Sequence, residues 1–273
     1  MDWVVHSIKA GAESLRVGII ILDQPFHNPL KMVRQIPRLV GLRSDRTVWQ
    51  LVCRHLKRAK LRQAFSIQPL LVGGNPFETT SIYGLIHYLE REWGVYFAMG
   101  GTGKLVSALT TLMAEEGIRL ENNQTVTELL LEESSAKGVK LATGETIKAD
   151  VVVSNADPLH LYSKMLPKGK LGSIPRLKLN SRKSMGLYGL YFGTSQTYPD
   201  VAHHTIWLGN RYKELLHDIF RRKVMTEDFS LYVHRPTATD PSFAPEGHDS
   251  FYVLCPVPNL DGDVDWAEEG PRL

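Results

Sequence analysis

Between Leu30 and Phe65 the apolar residues Met32, Val33, Ile36, Leu39, Val40, Val48, Leu51, Val52 and Leu56 recur at helical spacing, with basic residues on the opposite faces. This predicts amphipathic helices, which Pro37 and Gly41 are expected to break into pieces. Upstream, residues 3–22 read as mainly helical, and DQPFHNP ends that pattern. LLVGGNPF reads as a loop. A helix carrying Ser81, Ile82, Leu85, Ile86 and Leu89 should stop at Gly94, and another should run from about Gly103 to Glu116 with Gly117 as its cap.

From Ile118 to Asn155 the period changes. IRLEN, TVTELLLEES, GVKLAT and ETIKADVVVSNAD alternate or run as β-branched apolar segments, and ATGET between two of them suits a hairpin. Val151–Val153 is apolar throughout, as a buried parallel strand would be. It ends in Ser154-Asn155-Ala156-Asp157, a small polar turn of the kind that binds ligands at strand ends in open α/β sheets. Further on, GLYGLYFG, HHTIWLG, FSLYVH and SFYVLCPVPNL read as strands of antiparallel character, with NRYKELLHDIF as a helix among them. The fold class expected is α/β with mixed α+β character.

A length of 273 residues with 43% hydrophobic and 22% charged residues suits one large globular domain or two smaller ones. Only Cys53 and Cys255 are present, too few for a disulfide framework or a cysteine zinc site, so a reducing, cytosolic setting is the expectation. The apolar run Val17–Leu22 is far too short to span a membrane. The net charge of +3 hides an asymmetry. Lys31–Arg62 holds ten Lys/Arg against Asp45 alone, a local +9 that leaves the rest of the chain at −6. Such a block suits an anionic partner, whether membrane headgroups, nucleic acid or an acidic ligand, and equally suits a solvated helical face.

The stretch MGGTGKLVSAL looks at first like a phosphate loop. A Walker A loop needs Ser or Thr after its lysine, but Lys104 is followed by Leu105, and Ala98 stands where the first glycine belongs. A dinucleotide fingerprint fails as well, because Val106 replaces the third glycine. Two readings of Gly100, Gly101 and Gly103 remain. Backbone N–H groups at the opening of a helix can face an anion, or the glycines allow close packing.

His203 and His204 are adjacent in a predicted strand, so their rings are expected on opposite faces, and no metal site is expected. There is no GxSxG elbow, no zinc-finger spacing and no RNP motif, so hydrolase chemistry and nucleic-acid binding lack support. Phe65, Phe77, Tyr83, His87, Tyr88, Trp93, Tyr96 and Phe97 crowd into one region, which suits either a core or the lining for a long apolar ligand.

Several stretches carry a resemblance. LRQAFSIQPLLVGGNPFETTSIYGLIHYLEREWGVYFAMGGTGKLV, VVVSNADPLHLY, VAHHTIWLGNRYKELLHDIF and EDFSLYVHRPTATDPSFAPEGHDSFYVLCPVPNL are similar to the bacterial-type phytoene desaturases of carotenoid biosynthesis, from about Pro25 onward. The resemblance implies an FAD-dependent oxidoreductase related to amine oxidases, which desaturates a long isoprenoid hydrocarbon by passing hydride to the flavin. It implies a dinucleotide-binding FAD domain interwoven with a substrate domain and a helical membrane-facing region, here 98–160, 161–273 and 1–97 in turn. The protein is then expected at the cytoplasmic side of a membrane, peripherally bound. The GxGxxG unit and the second glycine-rich flavin motif of that family do not occur here, so the interior of a longer protein is expected, unable to hold FAD tightly by itself. By resemblance, Gly100, Gly101, Gly103, Val126, Ser154, Asn155, Ala156 and Asp157 would lie near the flavin. Phe65, Phe77, Tyr83, His87, Trp93 and Tyr191 would line the substrate, and Arg34 is a candidate catalytic group. A carotenoid or retinoid isomerase or saturase and a non-catalytic isoprenoid-binding module stay as alternatives.

Overall fold

The structure, a computed structural model, describes residues 29–41, 43–133, 135–167 and 182–273. The helix expected over 3–22 lies outside the described residues, as does most of the basic connection PRLKLNSRKS. Among the described residues, helices mix with two antiparallel sheets. Two compact units divide the chain, one built from residues up to Thr102 together with Ser184–Leu273, the other from Gly103–Lys183.

In the first unit, helices α1 (Pro29–Gly41), α2 (Val48–His55), α3 (Ala59–Ala64) and α4 (Leu85–Trp93) form in the basic, amphipathic part of the sequence and the stretch after it. Pro37 does not divide α1. The proline ring removes one backbone donor, but Val33, whose carbonyl would have received it, is on an exposed face where water can serve instead. α2 opens on a capping box: Thr47 Oγ1 accepts from the Gln50 N–H at 3.1 Å, and Gln50 Oε1 accepts from the Thr47 N–H at 3.0 Å. The buried side chains Val48 and Val52 repeat at i and i+4 along its inner face. The segment before α2 is sewn to the turn before α4, with Ser81 Oγ donating to the Arg43 carbonyl and Thr80 Oγ1 to that of Ser44. α4 ends where expected, at Gly94, whose φ of 76° suits glycine.

The same unit holds the four-stranded sheet of β4 (Gly186–Thr194), β5 (His204–Trp207), β6 (Leu231–His234) and β7 (Asp249–Val257) in the order β4-β7-β6-β5. These are the four strands expected, all antiparallel, and β4 and β7 pair over nine residues each. Helix α6 (Tyr212–His217) buries Tyr212, Leu215 and Leu216 and carries on into a turn that buries Ile219. Tyr212 meets Trp49 and Phe77, and its hydroxyl lies 3.0 Å from Ser66 Oγ in the core. Burial pushes the Tyr212 phenol up to about 12, against a smaller opposing effect of the Ser66 hydrogen bond. α7 (Trp266–Glu269) lies near the end of the chain, with Asp265 as its cap.

Helix α5 (Gly101–Glu115) leads into the second unit, and its end is turned by Gly117 at φ 70°. A meander follows, β1 (Val126–Glu132), β2 (Ser135–Leu141) and β3 (Thr146–Lys148), in that order. ATGET makes the β2–β3 turn as expected. A Cβ at Gly138 would lie 2.1 Å from the Ile147 carbonyl oxygen, so only glycine fits where β2 runs beside β3.

Two strand expectations fail. IRLEN forms no strand, and Ile118 and Leu120 are exposed. Val151–Val153 is not a buried parallel strand either: Val151 and Val153 are 75% and 90% exposed. An apolar run of this kind needs strands on both sides and a layer on each face, and the described residues offer it no strand to pair with.

Candidate functional site: an aromatic and histidine face

The register of the four-stranded sheet puts four rings in one row. Tyr191 of β4 faces Tyr252 of β7, Tyr252 faces His234 of β6, and His234 faces His204 of β5. Residues directly opposite in an antiparallel pair share a face, so the row crosses the whole sheet on one side. The rings touch in sequence: 5.7 Å between Tyr191 and Tyr252, 4.4 Å and nearly parallel between Tyr252 and His234, and 5.2 Å between His234 and His204. The adjacent row on this face is Gly189, Leu254, Tyr232 and Ile206. The Tyr191 ring leans over Gly189, where an added Cβ would come within 3.2 Å of it. Tyr191 is 73% exposed, whereas the opposite face of β7 buries Phe251, Cys255 and Val257. The result is a broad apolar and aromatic wall with an edge of imidazoles.

The expectation that His203 and His204 point apart is wrong. β5 begins only at His204, and His203 sits in a bend ahead of it, so strand alternation does not apply between them. Their ring centroids are 4.4 Å apart, and His203 lies 4.6 Å from His234. His203 is fixed from two sides: its carbonyl accepts from the Arg235 N–H at 2.9 Å, and its Nδ1 is hydrogen-bonded to Thr239 Oγ1. Tyr232 Oη lies 2.6 Å from His204 Nδ1 and 3.1 Å from His234 Nδ1. Burial first, then the neighbouring imidazoles, lowers the His234 pKa to about 4. Burial, followed by His204 and Arg235, lowers that of His203 too. Both rings are therefore neutral near pH 7.

Beneath this corner Arg235 and Asp249, both buried, pair at 3.1 Å. Burial raises the Asp249 pKa, but Thr237, the Tyr198 N–H and Arg235 together outweigh it and hold the carboxyl below its usual value. On the other side Phe97 meets His203 edge-on at 4.7 Å and Phe243 at 5.9 Å. The glycine-rich stretch arrives here. The Gly100 N–H donates to Asp240 Oδ2 at 2.7 Å, and Gly101 has φ 78° with Phe243 against it.

The residues singled out from the sequence are dispersed. Of the six offered as substrate-lining, Tyr191 alone stands on the sheet face. Phe77 packs on Trp49 at 4.8 Å in the helical core. Phe65 and His87 pack together, His87 Nε2 lying 3.1 Å from the Phe65 carbonyl oxygen. Tyr83 is half-buried beside α4, and Trp93 is exposed at its end. Arg34 is exposed on α1. Gly103 is open, with nothing near an added Cβ. Val126 opens β1, paired with Leu141. Ser154, Asn155, Ala156 and Asp157 form an exposed turn in which Ser154 Oγ accepts from the Ala156 N–H and Asp157 caps the turn that follows. Tyr252, Tyr232, His234 and His204 were not singled out as lining. The signals were the i, i+2 pairs Tyr232/His234 and His204/Ile206, but register between strands is what gathers them.

A mixed fold of this kind serves many functions, and similarity to known proteins narrows it. The flavin containing amine oxidoreductase family matches residues 39–252, and the chain belongs to that family. It is 47% identical over 95% of its length to the lycopene-forming phytoene desaturase of Pseudescherichia vulneris, and 46% identical over 91% to that of a Paracoccus strain. The neurosporene-forming phytoene desaturase of Cereibacter sphaeroides is 42% identical over 88% of the chain. The chain spans about half the length of these relatives: 52%, 50% and 48%. Among solved structures, an oxidoreductase from Methanosarcina mazei matches with a TM-score of 0.61 at 15% identity, covering 91% of this chain and 55% of its own. A protein of Pyrococcus furiosus matches at 0.59 and 14%, covering 83% and 53%. Both likenesses are of fold. Membership of the family implies a flavin cofactor.

Proposed function

We propose that the protein containing this chain is an FAD-dependent desaturase of a long isoprenoid hydrocarbon, phytoene or a close analogue, in carotenoid biosynthesis. The aromatic row Tyr191–Tyr252–His234–His204 carries this reading, together with the phytoene desaturases among the relatives. Removing two hydrogens from an unactivated chain needs no nucleophile or acid pair from the protein. When bound, flavin would supply the redox chemistry, taking up the two hydrogens as a hydride and a proton and being reduced by two electrons. The chain's own residues orient the hydrocarbon against rings and exclude water.

For the cofactor, the exposed turn Ser154–Asp157 and the neighbouring Val126 strand are the groups proposed to meet the adenine end of FAD. The turn offers a hydroxyl and an amide side chain in the open, and the uncovered Val151 and Val153 beside it leave apolar surface to contact. Gly103 leaves room for close approach, but the Gly100 N–H already has a carboxylate partner. Peripheral attachment at the cytoplasmic side of a membrane belongs to the same proposal. The exposed stripe Val33, Ile36 and Val40 on α1, at i, i+3 and i+7 beside Arg34 and Arg43, supports it.

The test is expression of the full-length protein that contains this chain in phytoene-accumulating cells. Conjugated products with longer-wavelength absorption are expected, and Tyr191→Ala should reduce them without unfolding the protein. A flavin-loaded protein that isomerises or saturates polyenes while leaving phytoene untouched would replace this reading with the alternative from the same superfamily. Hydrocarbon binding with no turnover would leave a binding module.

A further inference from the structure

We infer that His203, His204 and His234 form a binding site for a divalent transition-metal ion of the imidazole-preferring kind, set at the edge of the aromatic face. One ring nitrogen from each histidine lies within 4.8 Å of the others, and the Nδ1 atoms of His204 and His234 are 3.4 Å apart. Tyr232 Oη sits between those two nitrogens. Each of these three atoms carries a lone pair that could turn to an ion in place of its present hydrogen bond.

His203 supplies a further sign. Its Nδ1 is taken by Thr239, while Nε2 is buried with no hydrogen-bond partner. A ligating histidine has this arrangement, with one nitrogen oriented by an outer hydroxyl or carbonyl and the other free for the metal. An unpartnered buried nitrogen costs free energy that an ion would recover. The adjacent guanidinium of Arg235 is a cation, but it is already paired with Asp249.

Three imidazoles with a phenolic oxygen at hand suit Zn2+ or Cu2+, and they suit Mg2+ or Ca2+ poorly because those ions prefer carboxylate and carbonyl oxygens. An ion held here would also join the bend before β5 to β6. β5 is a four-residue edge strand that, among the described residues, pairs with β6 alone, so such a clasp would fasten this edge of the sheet.

The experiment uses the whole 273-residue chain, stripped with chelator and titrated with Zn2+ by calorimetry, with Co2+ absorption as a second probe. One equivalent is expected to bind, with d–d bands of low-coordinate Co2+ and a rise in Tm that disappears on adding chelator. His204→Gln is the cleanest variant, because that side chain is exposed and its loss leaves the core intact. Affinity should fall by at least the roughly 10–100-fold that even outer partners of a metal are worth, and the Zn2+-induced rise in Tm should vanish. His160→Gln, in the other unit, should bind as the unaltered chain does. No binding by the folded chain, or binding unchanged in both His204→Gln and His203→Gln, would overturn the inference.

Discussion

The backbone N–H of Gly100 donates to Oδ2 of Asp240 at 2.7 Å, tying the opening of α5 to the loop after β6. A carboxylate from the protein itself thus occupies the position where a bound phosphate would be sought. The Ser242 hydroxyl, then the Gly100 N–H, hold the Asp240 carboxyl below its ordinary range. Next along the chain, Gly101 has φ 78° and would put a Cβ 2.8 Å from Phe243 Cζ.

Gly101→Ala should therefore destabilise the protein by about 1–2 kcal/mol, combining left-handed backbone strain with a crowded aromatic. Gly103→Ala, two residues on with nothing within contact distance, should be neutral or stabilising by up to about 1 kcal/mol. Urea midpoints of the two variants check this, and equal effects would remove the packing account.

Asp249→Asn should cost about 3 kcal/mol, because it leaves the buried Arg235 without its counter-charge. The pH dependence has a definite sign. The folded carboxyl titrates below the ordinary aspartate value of 3.8, so the stability it contributes is present above that pH and is lost as pH falls through the lower folded value. Acid melts of the original protein should show this loss, and Asp249→Asn should flatten it.

Cys255 is 4% exposed, and burial pushes its thiol up to about 11. Its stabilising contribution is complete below the unfolded thiol pKa and is lost as pH rises toward the folded value. At pH 8 it should resist a disulfide reagent until the chain unfolds, whereas the half-buried Cys53 reacts earlier. Thiol counting against urea concentration measures both.

Ile36→Asp should weaken binding to vesicles containing anionic lipid, with little change in Tm, since Ile36 is 50% exposed. Co-sedimentation reads the first effect. If vesicle binding is absent or unchanged, the proposed attachment through α1 is wrong.

Much of the fold was legible. The strands around Tyr191, Ile206, Val233 and Val253 alternate or run apolar within clear turn signals, and Gly94 and Gly117 stop helices where helix stops need glycine. What failed depended on neighbours. Val151–Val153 reads as a buried strand, but burial requires strands alongside. The relation of His203 to His204 turned on where β5 begins, and a boundary one residue later brings two rings together. Pro37 failed for an energetic reason, because a lost hydrogen bond on an exposed face is not enough to end a helix. The aromatic row was hidden because register joins four strands that lie far apart in the chain.

β4 and β7 are hydrogen-bonded partners through nine consecutive positions. Shifting one past the other would break the whole ladder at once and reverse the faces of its side chains. The surface bearing Tyr191 and Tyr252 is therefore a stiff ruler: an extended ligand laid along it must bend to fit, and only ring rotations on the wall can answer it.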